Sequence, residues 1–559
     1  MYNYFKKEIP DTERNRIRLE YVRQEAEKML LEPIQSLSFS KYRMFHEVGD
    51  RFEYENDSQQ HRKRMCYMAV MALSSDEPKW MAALEDILWA VCDEATWAFP
   101  AHIAKDASLE QIVTTFDLFA AEIAGALSEI CYLLGERLHP VLYERIQTEL
   151  KRRVLTPWLK KRFTYKSNWS AVCACGLCST IIHCGTKEDF EMAKETLIQS
   201  AYDFLESYRQ DGCCLEGPLY WSYGFSNFCF LAQMIREQTD GEVDLFKEEK
   251  VKNIALYMQK TCLEDDYILP FGDASHRYRF EYCLVNLLNH EYAEFKAPKP
   301  EMLALHIYSD KRERFARFIR DFYWTEEVLP AKEEEAEEDS SLEVFEESQQ
   351  YIHRKKQFIF AAKGGNNAEP HNHNDIGSFI IFSKGRYLLD DLGWSEYDNK
   401  YFTAARYENI CASSRGHSVP IINGKEQLPG AQCKAKASYD SESISLDMTL
   451  AYDEVDAVTR NFLLKDDAVE IEDYFAGDNL QITERFVTRI QPEVCAQGIR
   501  IGELLLQSDD LCDVQLSSQE FHPRALGDLN PTETAYFIDF VFEKVEKEQH
   551  IKIKISYEA

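Results

Sequence analysis

The sequence lacks any long uncharged apolar run. A membrane-spanning helix needs roughly 20 consecutive apolar residues, and the 559-residue chain contains no such stretch. Residues 1–18 also lack the apolar core and the small-residue cleavage site of a secretory signal peptide. We therefore expect a globular protein of the cytoplasm with no membrane partner, whose 16 cysteines remain thiols in a reducing compartment.

Positive charge is also scarce. The chain has 64 Lys and Arg residues against 96 Asp and Glu residues, which gives a net charge of −32. Nucleic acids and anionic membranes require a cationic surface on their partner, so we expect neither as a ligand. A small anionic substrate remains compatible with this charge, because local basic groups act within a Debye length of about 8 to 10 Å.

Apolar residues with helical spacing dominate the first 328 residues. The segments that begin at Lys79, Asp117 and Phe190 each place apolar side chains at positions i, i+3, i+4 and i+7. Loops that carry Pro and Gly separate these segments. The pattern predicts helical hairpins stacked in a ring or solenoid over residues 1–328.

The pattern changes after this point. Residues 329–345 are acidic and poor in apolar side chains, which predicts a solvated connector. Residues 346–559 contain short runs with a period of two, such as those that begin at Ser443 and Ile551, separated by turn signals. Several strands without interleaved helices predict an antiparallel β-sandwich.

The clearest chemical motif is E-P-H-N-H-N-D-I-G, which contains His371 and His373. Asp390 and Asp391 end the next apolar run, and His417 follows further along the chain. Two imidazoles and one carboxylate suit Zn²⁺, which binds nitrogen and oxygen ligands. The alternative is a set of hydrogen-bonded loop residues that bind no metal.

The turn of the hairpin between these groups is predicted at residues 383–385. A register centred on Lys384 sets Asp391 opposite Gly377. The chain must then curl back for His373 to meet Asp391.

The helical region carries polar and aromatic clusters at its loops. Asn168 opens a predicted helix and has a residue type that is usual at an N-cap. A Gly- and Pro-rich loop then brings together Glu216, Tyr220, Trp221 and Tyr223. Aromatic rings in such a loop either pack in the core or stack on a bound sugar, and the residues alone leave both alternatives open.

Two further clusters lie at loop edges. The first contains Glu94, Trp97 and His102, and the second contains Asp273 and His276. Each is either a polar turn with satisfied hydrogen bonds or a substrate subsite.

Together these motifs resemble those of the heparinase II/III-like polysaccharide lyases. The resemblance rests on A-A-K-G-G-N-N-A-E-P-H-N-H-N-D-I-G-S-F and R-G-H-S-V-P-I-I-N-G, and it recurs in C-D-E-A-T-W-A-F-P-A-H, N-W-S-A-V-C and D-G-C-C-L-E-G-P-L-Y-W-S-Y-G. These motifs occur in order between Trp80 and Gly430. The resemblance implies an incomplete (α/α) toroid followed by an antiparallel β-sandwich.

The resemblance also implies roles for residues of the predicted sandwich. His371 resembles the active-site histidine, and His373, Asp391 and His417 resemble the metal ligands, usually of zinc. Asp391 is preferred to the aspartate before it because the family's ligand stands two residues before a glycine, here Gly393. The segment between the ligands supplies further implied substrate contacts, which are Tyr401, Arg406 and Tyr407.

In the helical region, Asn168 matches the residue that contacts the substrate carboxylate. Several relatives have a histidine after this asparagine, whereas this chain has Trp169, so a second neutralising group must come from elsewhere. The spacing of the family's catalytic tyrosine favours Tyr223, with Tyr220 in reserve. The expected additional substrate contacts are Glu216, Tyr220, Trp221, Trp97 and His102.

The implied reaction is β-elimination on an acidic oligosaccharide that contains uronate. The C5 proton of a uronate becomes removable only when a donor such as Asn168 holds the adjacent carboxylate. Tyr223 and His371 are then the base that takes this proton and the acid that protonates the leaving O4, in an order that the sequence leaves open. The product carries a 4,5-unsaturated uronate.

Two other functions remain open from the sequence. A glycoside hydrolase acting on uronyl oligosaccharides needs two carboxylates about 5 to 10 Å apart, and Glu94, Glu216 and Asp273 are the candidates. A non-catalytic sugar-binding protein is the third possibility.

Overall fold

The structure of the protein is a computed structural model that describes residues 8–162, 165–299, 302–303, 314–324, 340–395, 401, 403–524, 532–544 and 547–558. Helices fill the first part of these ranges and antiparallel sheets the last part, so the predicted order of α followed by β is confirmed. No helix within these ranges is long and apolar enough to cross a membrane.

Fourteen α-helices lie within the described residues, and several begin at a local sequence signal. The side chains of Thr12, Asp117 and Thr186 each accept a backbone N–H from the first turn of the helix that follows. The helices are α1 (Glu13–Leu30), α2 (Phe39–Val48), α3 (Phe52–Ser74), α4 (Pro78–Asp93), α5 (Leu109–Thr114), α6 (Leu118–Leu134), α7 (Pro140–Leu150), α8 (Thr156–Lys160), α9 (Asn168–Cys184), α10 (Lys187–Leu205), α11 (Pro218–Gln238), α12 (Glu249–Thr261), α13 (Tyr282–Glu291) and α14 (Phe315–Tyr323).

Twenty-one strands lie within the same ranges. They are β1 (Cys262–Glu264), β2 (Tyr267–Ile268), β3 (Ser340–Phe345), β4 (Gln350–Lys355), β5 (Ile359–Lys363), β6 (Asn366–Asn367), β7 (Phe379–Ser383), β8 (Arg386–Leu389), β9 (Pro420–Ile422), β10 (Gly430–Lys434), β11 (Lys436–Tyr439), β12 (Ser443–Asp447), β13 (Ala457–Leu464), β14 (Ala468–Ala476), β15 (Ile482–Thr488), β16 (Glu493–Cys495), β17 (Gly498–Ile501), β18 (Leu504–Ser508), β19 (Cys512–Phe521), β20 (Glu533–Phe542) and β21 (Glu548–Tyr557).

Three antiparallel sheets form the sandwich. Their strand orders are β11-β12-β13-β14-β21-β18-β17-β16, β19-β20-β15-β9 and β3-β4-β5-β7-β8. Burial alternates along β13 and β21, which is the pattern of strands with one face on a core. Phe360, Phe462 and Phe540, one from each sheet, belong to a single hydrophobic core.

The chain divides into two compact units. The helical unit comprises Met1–Tyr208, Tyr220–Ala255 and Arg279–Ala331, and the sheet unit comprises Arg209–Leu219, Leu256–Tyr278 and Lys332–Ala559. Two short segments from the helical part of the sequence therefore group with the sheets. Residues 329–339 of the predicted connector lie outside the described residues, and its last six residues form β3.

The predicted register of the β7–β8 hairpin is wrong. Ser383 pairs with Arg386, so the turn consists of the two residues Lys384 and Gly385. Both have positive φ angles, 49° and 71°, which matches the tight turn that fits the twist of paired strands. The register then shifts after Ile381, a bulge that the alternation of side chains could not reveal.

Helices α6 and α9 cross at close range, which fixes the helix that Asn168 begins. A Cβ on Gly176 of α9 would overlap the carbonyl oxygen of Ala121, whereas a Cβ on Gly125 would meet its neighbour at an ordinary 3.4 Å. The thiol of Cys175 is buried on the same helix, and burial raises its pKa well above the ordinary value. This thiol packs as a small apolar group.

Gly176→Ala should therefore lower the free energy of unfolding by about 1 to 3 kcal/mol, because the added methyl must displace the backbone of α6. Gly125→Ala is the matched control at the same crossing, where space exists and alanine favours the helix by up to about 1 kcal/mol. Denaturant unfolding followed by circular dichroism measures both variants. Equal stability of the two would contradict the close approach at Gly176.

Candidate active site and metal centre

The buried carboxylate of Asp273 is shared by four side chains of the sheet unit. Its Oδ2 lies 2.5 Å from His371 Nδ1, and its Oδ1 lies 3.1 Å from His373 Nε2. Arg406 donates to both oxygens, at 3.2 and 3.3 Å, and the Tyr401 hydroxyl donates to Oδ1. One carboxylate thus binds both histidines of the motif: His371, the predicted catalytic residue, and His373, a predicted metal ligand.

The environment of Asp273 keeps this carboxylate ionised. Burial by itself raises the pKa, but the hydrogen bonds from His371 and His373 and the charge of Arg406 outweigh burial and hold the pKa well below its ordinary value. The side chain is fully buried, with 0% exposure. Asp273 is therefore a permanent acceptor that orients its neighbours.

Close backbone packing brings the segment of Asp273 to that of Glu216, a second carboxylate beside His371. A Cβ on Gly217 would lie 3.0 Å from Ala274 Cβ, and a Cβ on Gly272 would lie 3.1 Å from the Leu215 carbonyl oxygen. Both glycines also have positive φ angles, 95° and 77°. The two segments that carry the carboxylates can approach this closely only because these positions have no side chain.

His371 lies between these two carboxylates. Its Nδ1 faces Asp273, and its Nε2 lies 3.4 Å from Glu216 Oε2. Its φ angle of 55° is a strained value for a residue other than glycine, and such strain often occurs at functional positions. Burial raises the pKa of Glu216 above its ordinary value. The His371 side chain is 18% exposed and lines a cleft with Glu369, Asn372 and Tyr407.

A second group of buried side chains can hold a metal ion. His373, Asp375, Asp391 and His417 each offer one ligand atom, and these atoms all lie within 4.8 Å of one another. The Lys363 ammonium lies 2.9 Å from Asp375, so this carboxylate already has a cationic partner. The remaining three residues are the ones that the sequence motifs implied.

The hydrogen bonds of these three residues fit a divalent cation. His373 uses Nε2 on Asp273, and His417 uses Nε2 on the Cys411 carbonyl at 2.9 Å, while Asp391 Oδ1 accepts the Gly393 N–H at 2.8 Å. Of their other atoms, His417 Nδ1 lies 3.2 Å from Asp391 Oδ2, and His373 Nδ1 is buried without a hydrogen-bond partner. Metal-ligating histidines typically have this pattern, because the second nitrogen is held by a carboxylate or carbonyl.

Burial further prepares His373 for this role. It lowers the pKa of His373 below its ordinary value, although the contact with Asp273 opposes the shift. The neutral imidazole that results has a lone pair for a cation.

Asp390 belongs to a different set of contacts. Its carboxylate lies 2.8 Å from His276 Nε2 and 3.2 Å from Arg489 Nε. The two adjacent aspartates therefore point to separate partners, and only Asp391 joins the metal-binding group.

Tyr223 lines a largely apolar cavity of the helical unit. Its hydroxyl donates to Glu122 at 3.0 Å, and the guanidinium of Arg314 lies 3.9 Å from the centre of its ring. Arg314 and Glu122 also form an ion pair. Burial raises the pKa of Tyr223 well above its ordinary value and Glu122 adds to the shift, while Arg314 opposes it. The hydroxyl is therefore protonated.

Asn168 lies beside Tyr223 on the neighbouring helix. It is the first residue of α9, and the N-cap position belongs to Ser167. The side chain of Asn168 packs against Gly224, which follows Tyr223 in α11, so closely that a Cβ at Gly224 would overlap the amide. The amide thus lies against the backbone of the residue that follows Tyr223.

The other residues predicted to contact substrate in the helical unit have different surroundings. Trp221 is fully buried and donates to the Ile254 carbonyl, and Trp97 is 2% exposed and donates to the Val91 carbonyl. Both indoles are packed in the core of this structure, and their contact with a sugar stays a prediction. His102 Nδ1 lies 2.6 Å from Asp117.

Tyr220 stands in α11 and is partly exposed. In the sheet unit, Tyr401 and Arg406 are buried on Asp273, whereas Tyr407 accepts a hydrogen bond from Asn372 in the cleft. All three residues line the cleft, and Tyr407 is the most exposed of them.

Sequence reasoning missed Glu122 and Arg314, and it recognised Asp273 only as part of a possible subsite or as a candidate carboxylate of a hydrolase. Glu122 and Arg314 are 192 positions apart in the chain, and neither belongs to a local motif. No sequence signal could have paired them. The motif F-G-D-A-S-H did mark Asp273, but not the number of its donors.

Residues 337–557 match the family model described as heparinase II/III-like, C-terminal. This match confirms the resemblance drawn from the motifs for that part of the chain. No curated protein matches the sequence.

Several solved structures share the fold over nearly the whole chain. A mutant of the heparan sulfate lyase HepC from Pedobacter heparinus has a TM-score of 0.64 at 15% identity, covering 99% of this chain and 85% of its own. Heparinase III has a TM-score of 0.63 at 13% identity, with coverages of 100% and 87%. The Streptomyces coelicolor A3 chondroitin AC lyase, in complex with chondroitin sulphate, has a TM-score of 0.55 at 11% identity, with coverages of 98% and 79%. The predicted toroid-plus-sandwich fold is confirmed.

Asp391→Asn should weaken cation binding by more than the roughly 10 to 100-fold typical of changes to groups that only orient a ligand. Asp390→Asn is the matched control, one residue away, and should keep the cation. Elemental analysis after dialysis measures both variants. Equal cation content in the two would contradict the assignment of Asp391.

Proposed function

We propose that this chain, with its heparinase II/III-like C-terminal region, is a lyase that cleaves uronate-containing oligosaccharides by β-elimination. The observation that carries the proposal is the setting of His371. Asp273 accepts from its Nδ1, and its Nε2, which lies 3.4 Å from Glu216 Oε2, is the nitrogen proposed for proton transfer at the cleft. A lyase of this kind needs such an oriented imidazole, together with a phenol and a group that holds the substrate carboxylate.

The helical unit supplies candidates for the other two groups. Tyr223 provides a protonated hydroxyl, and the amide of Asn168, which packs against Gly224, provides a donor for the carboxylate of the uronate. Arg314, over the Tyr223 ring, is the proposed second neutralising group in a chain that has Trp169 where relatives have histidine.

The proposed reaction is a 1,2-elimination. The base takes the C5 proton, the electrons of the C5–H bond form the C4–C5 double bond, and the C4–O4 bond breaks as the acid protonates O4. Holding the carboxylate lowers the energy of the charge that develops at C5, a contribution of about 10² to 10³ in rate. The configuration at C5 decides which of His371 and Tyr223 acts as the base.

The proposed cation is zinc, bound by His373, Asp391 and His417. The ligand set of two imidazole nitrogens and a carboxylate oxygen suits zinc better than calcium or magnesium, which prefer oxygen. A bound zinc ion would fix the segment that carries His371. His371 itself keeps its contact with Asp273 and acts on the substrate directly.

The proposed substrate is a short acidic oligosaccharide, and the proposed location is the cytoplasm. The domain division after residue 328 is likewise a proposal, with the sheet domain beginning no later than β3, at Ser340. The proton transfer proposed for His371 does not depend on any of these three assignments.

The geometry disfavours a glycoside hydrolase. Two of its three candidate carboxylates are engaged: Asp273 is fully buried under four donors, and Glu94 is buried against His61 Nδ1 at 2.8 Å. Only Glu216 retains access to the cleft histidine, and the hydrolytic mechanism requires two carboxylates.

His371→Ala and Tyr223→Phe should each reduce turnover of uronate oligosaccharides by about 10² to 10⁴-fold, because each removes a proton-transfer group. Substrate affinity should fall much less. The measurements are the absorbance of the unsaturated uronate product and direct binding of substrate.

Tyr220→Phe is the control, since this tyrosine lies three positions earlier in the same helix and should retain activity. Loss of activity in Tyr220→Phe alone would transfer the role to Tyr220. New reducing ends without the absorbance of an unsaturated product would contradict the lyase proposal.

A further inference from the structure

Arg460 of β13 is a buried arginine far in sequence from the motifs. Its side chain is 1% exposed. Nε and Nη2 contact Asp473 at 2.9 and 2.6 Å, and Nη2 also contacts Glu484 at 2.5 Å. These partners lie on β14 and β15, so the guanidinium joins strands of two sheets.

This cluster is costly as a purely stabilising device. Two carboxylates and one guanidinium are removed from water, and burial together with Asp473 raises the pKa of Glu484 well above its ordinary value. Such buried ionic groups can often be replaced by apolar residues without loss of stability. A role beyond stability would explain why the charges are here.

The third nitrogen of Arg460, Nη1, contacts the backbone near two of the candidate metal ligands. Nη1 donates to the carbonyl of Gly377 at 3.1 Å and to the carbonyl of Ser418 at 2.9 Å. Gly377 follows His373 by four positions, and Ser418 directly follows His417. One nitrogen therefore holds the backbones of both segments that carry a histidine ligand.

The two segments are also bonded to each other: the Ser414 hydroxyl donates to the Asn374 carbonyl at 2.6 Å, and the Asn374 N–H donates to the Ala412 carbonyl at 3.0 Å. The Gly377 N–H donates to the Lys363 carbonyl at 2.9 Å, and the Ser418 hydroxyl accepts the Val487 N–H at 3.1 Å. Arg460 connects the two backbones directly, because its Nη1 donates to both. Arg460 thus adds a side-chain link between the segments that carry the two imidazoles, whose ring centres lie 5.2 Å apart.

We propose that Arg460 is a positioning residue for the cation site, which holds His373 and His417 at the spacing that a metal ion requires. The inference rests on the cation site of the proposed function and concerns affinity, not catalysis. The planar guanidinium suits this task because Asp473 fixes two of its nitrogens and thereby aims the third. A lysine ammonium lacks this rigid, planar arrangement of several N–H donors.

Arg460→Lys should lower zinc affinity by about 10 to 100-fold, the usual effect of losing a group that orients metal ligands. Competition with a chromophoric chelator measures this affinity at a temperature where the variant is folded. The absorption spectrum of the cobalt-loaded protein reports the geometry of the site, which a merely structural role would leave unchanged.

Arg354→Lys is the matched control. Arg354 is a partly buried arginine of the same unit that donates to the carbonyls of Lys260 and Cys262, at 3.0 and 2.5 Å. This control should keep wild-type affinity. Equal affinity in Arg460→Lys and wild type, or equal losses in both variants, would overturn the proposal.

If Arg460→Lys does not fold, Asp473→Asn takes its place. This variant keeps the arginine but removes the carboxylate that aims Nη1, so zinc affinity should again fall. Unchanged affinity would overturn the proposal. A wild-type protein that binds no zinc would remove the cation site itself while leaving the lyase assay as a separate test.

Discussion

The hydrogen bonds to one buried carboxylate, that of Asp273, orient the candidate catalytic and metal-binding side chains of the sheet unit. One oxygen holds His371 at 2.5 Å and the other holds His373 at 3.1 Å. Each imidazole uses one ring nitrogen for this hydrogen bond. The contact therefore determines which ring nitrogen is left for another partner. For His371 that nitrogen is Nε2 at the cleft, and for His373 it is Nδ1 beside Asp391. Two histidines one residue apart can therefore have different tasks.

Buried charge of both signs accompanies each candidate reacting group. In the sheet unit, Arg406 offsets the charge of Asp273, and in the helical unit, Arg314 pairs with Glu122 beside Tyr223. A buried carboxylate without such a partner would take up a proton and lose its ability to accept from its neighbours. The whole chain has a net charge of −32. At these two sites, however, Arg406 and Arg314 offset the negative charge of the buried carboxylates.

The sequence predicted the order of helices and strands because the apolar period changes from 3.6 to 2 along the chain. It also predicted His373, Asp391 and His417 as a group, which the structure brings together. It failed where distant segments meet. The bulge after Ile381 altered the hairpin register. The ion pair of Glu122 with Arg314 depends on the packing of helices, which no local pattern encodes. Aromatic residues such as Trp221 were ambiguous for the same reason, since a core ring and a sugar-stacking ring have the same sequence signal.

The shared role of Asp273 is tested most directly by Asp273→Asn, with zinc affinity and turnover measured on the same preparation. The amide keeps the shape of the side chain but gives up one acceptor oxygen and the negative charge. The account predicts that zinc affinity falls by about 10 to 100-fold and that turnover falls with it even at saturating zinc, because His371 also loses its partner. Wild-type zinc affinity with lost turnover, or wild-type turnover with lost zinc affinity, would contradict the claim that one carboxylate serves both histidines.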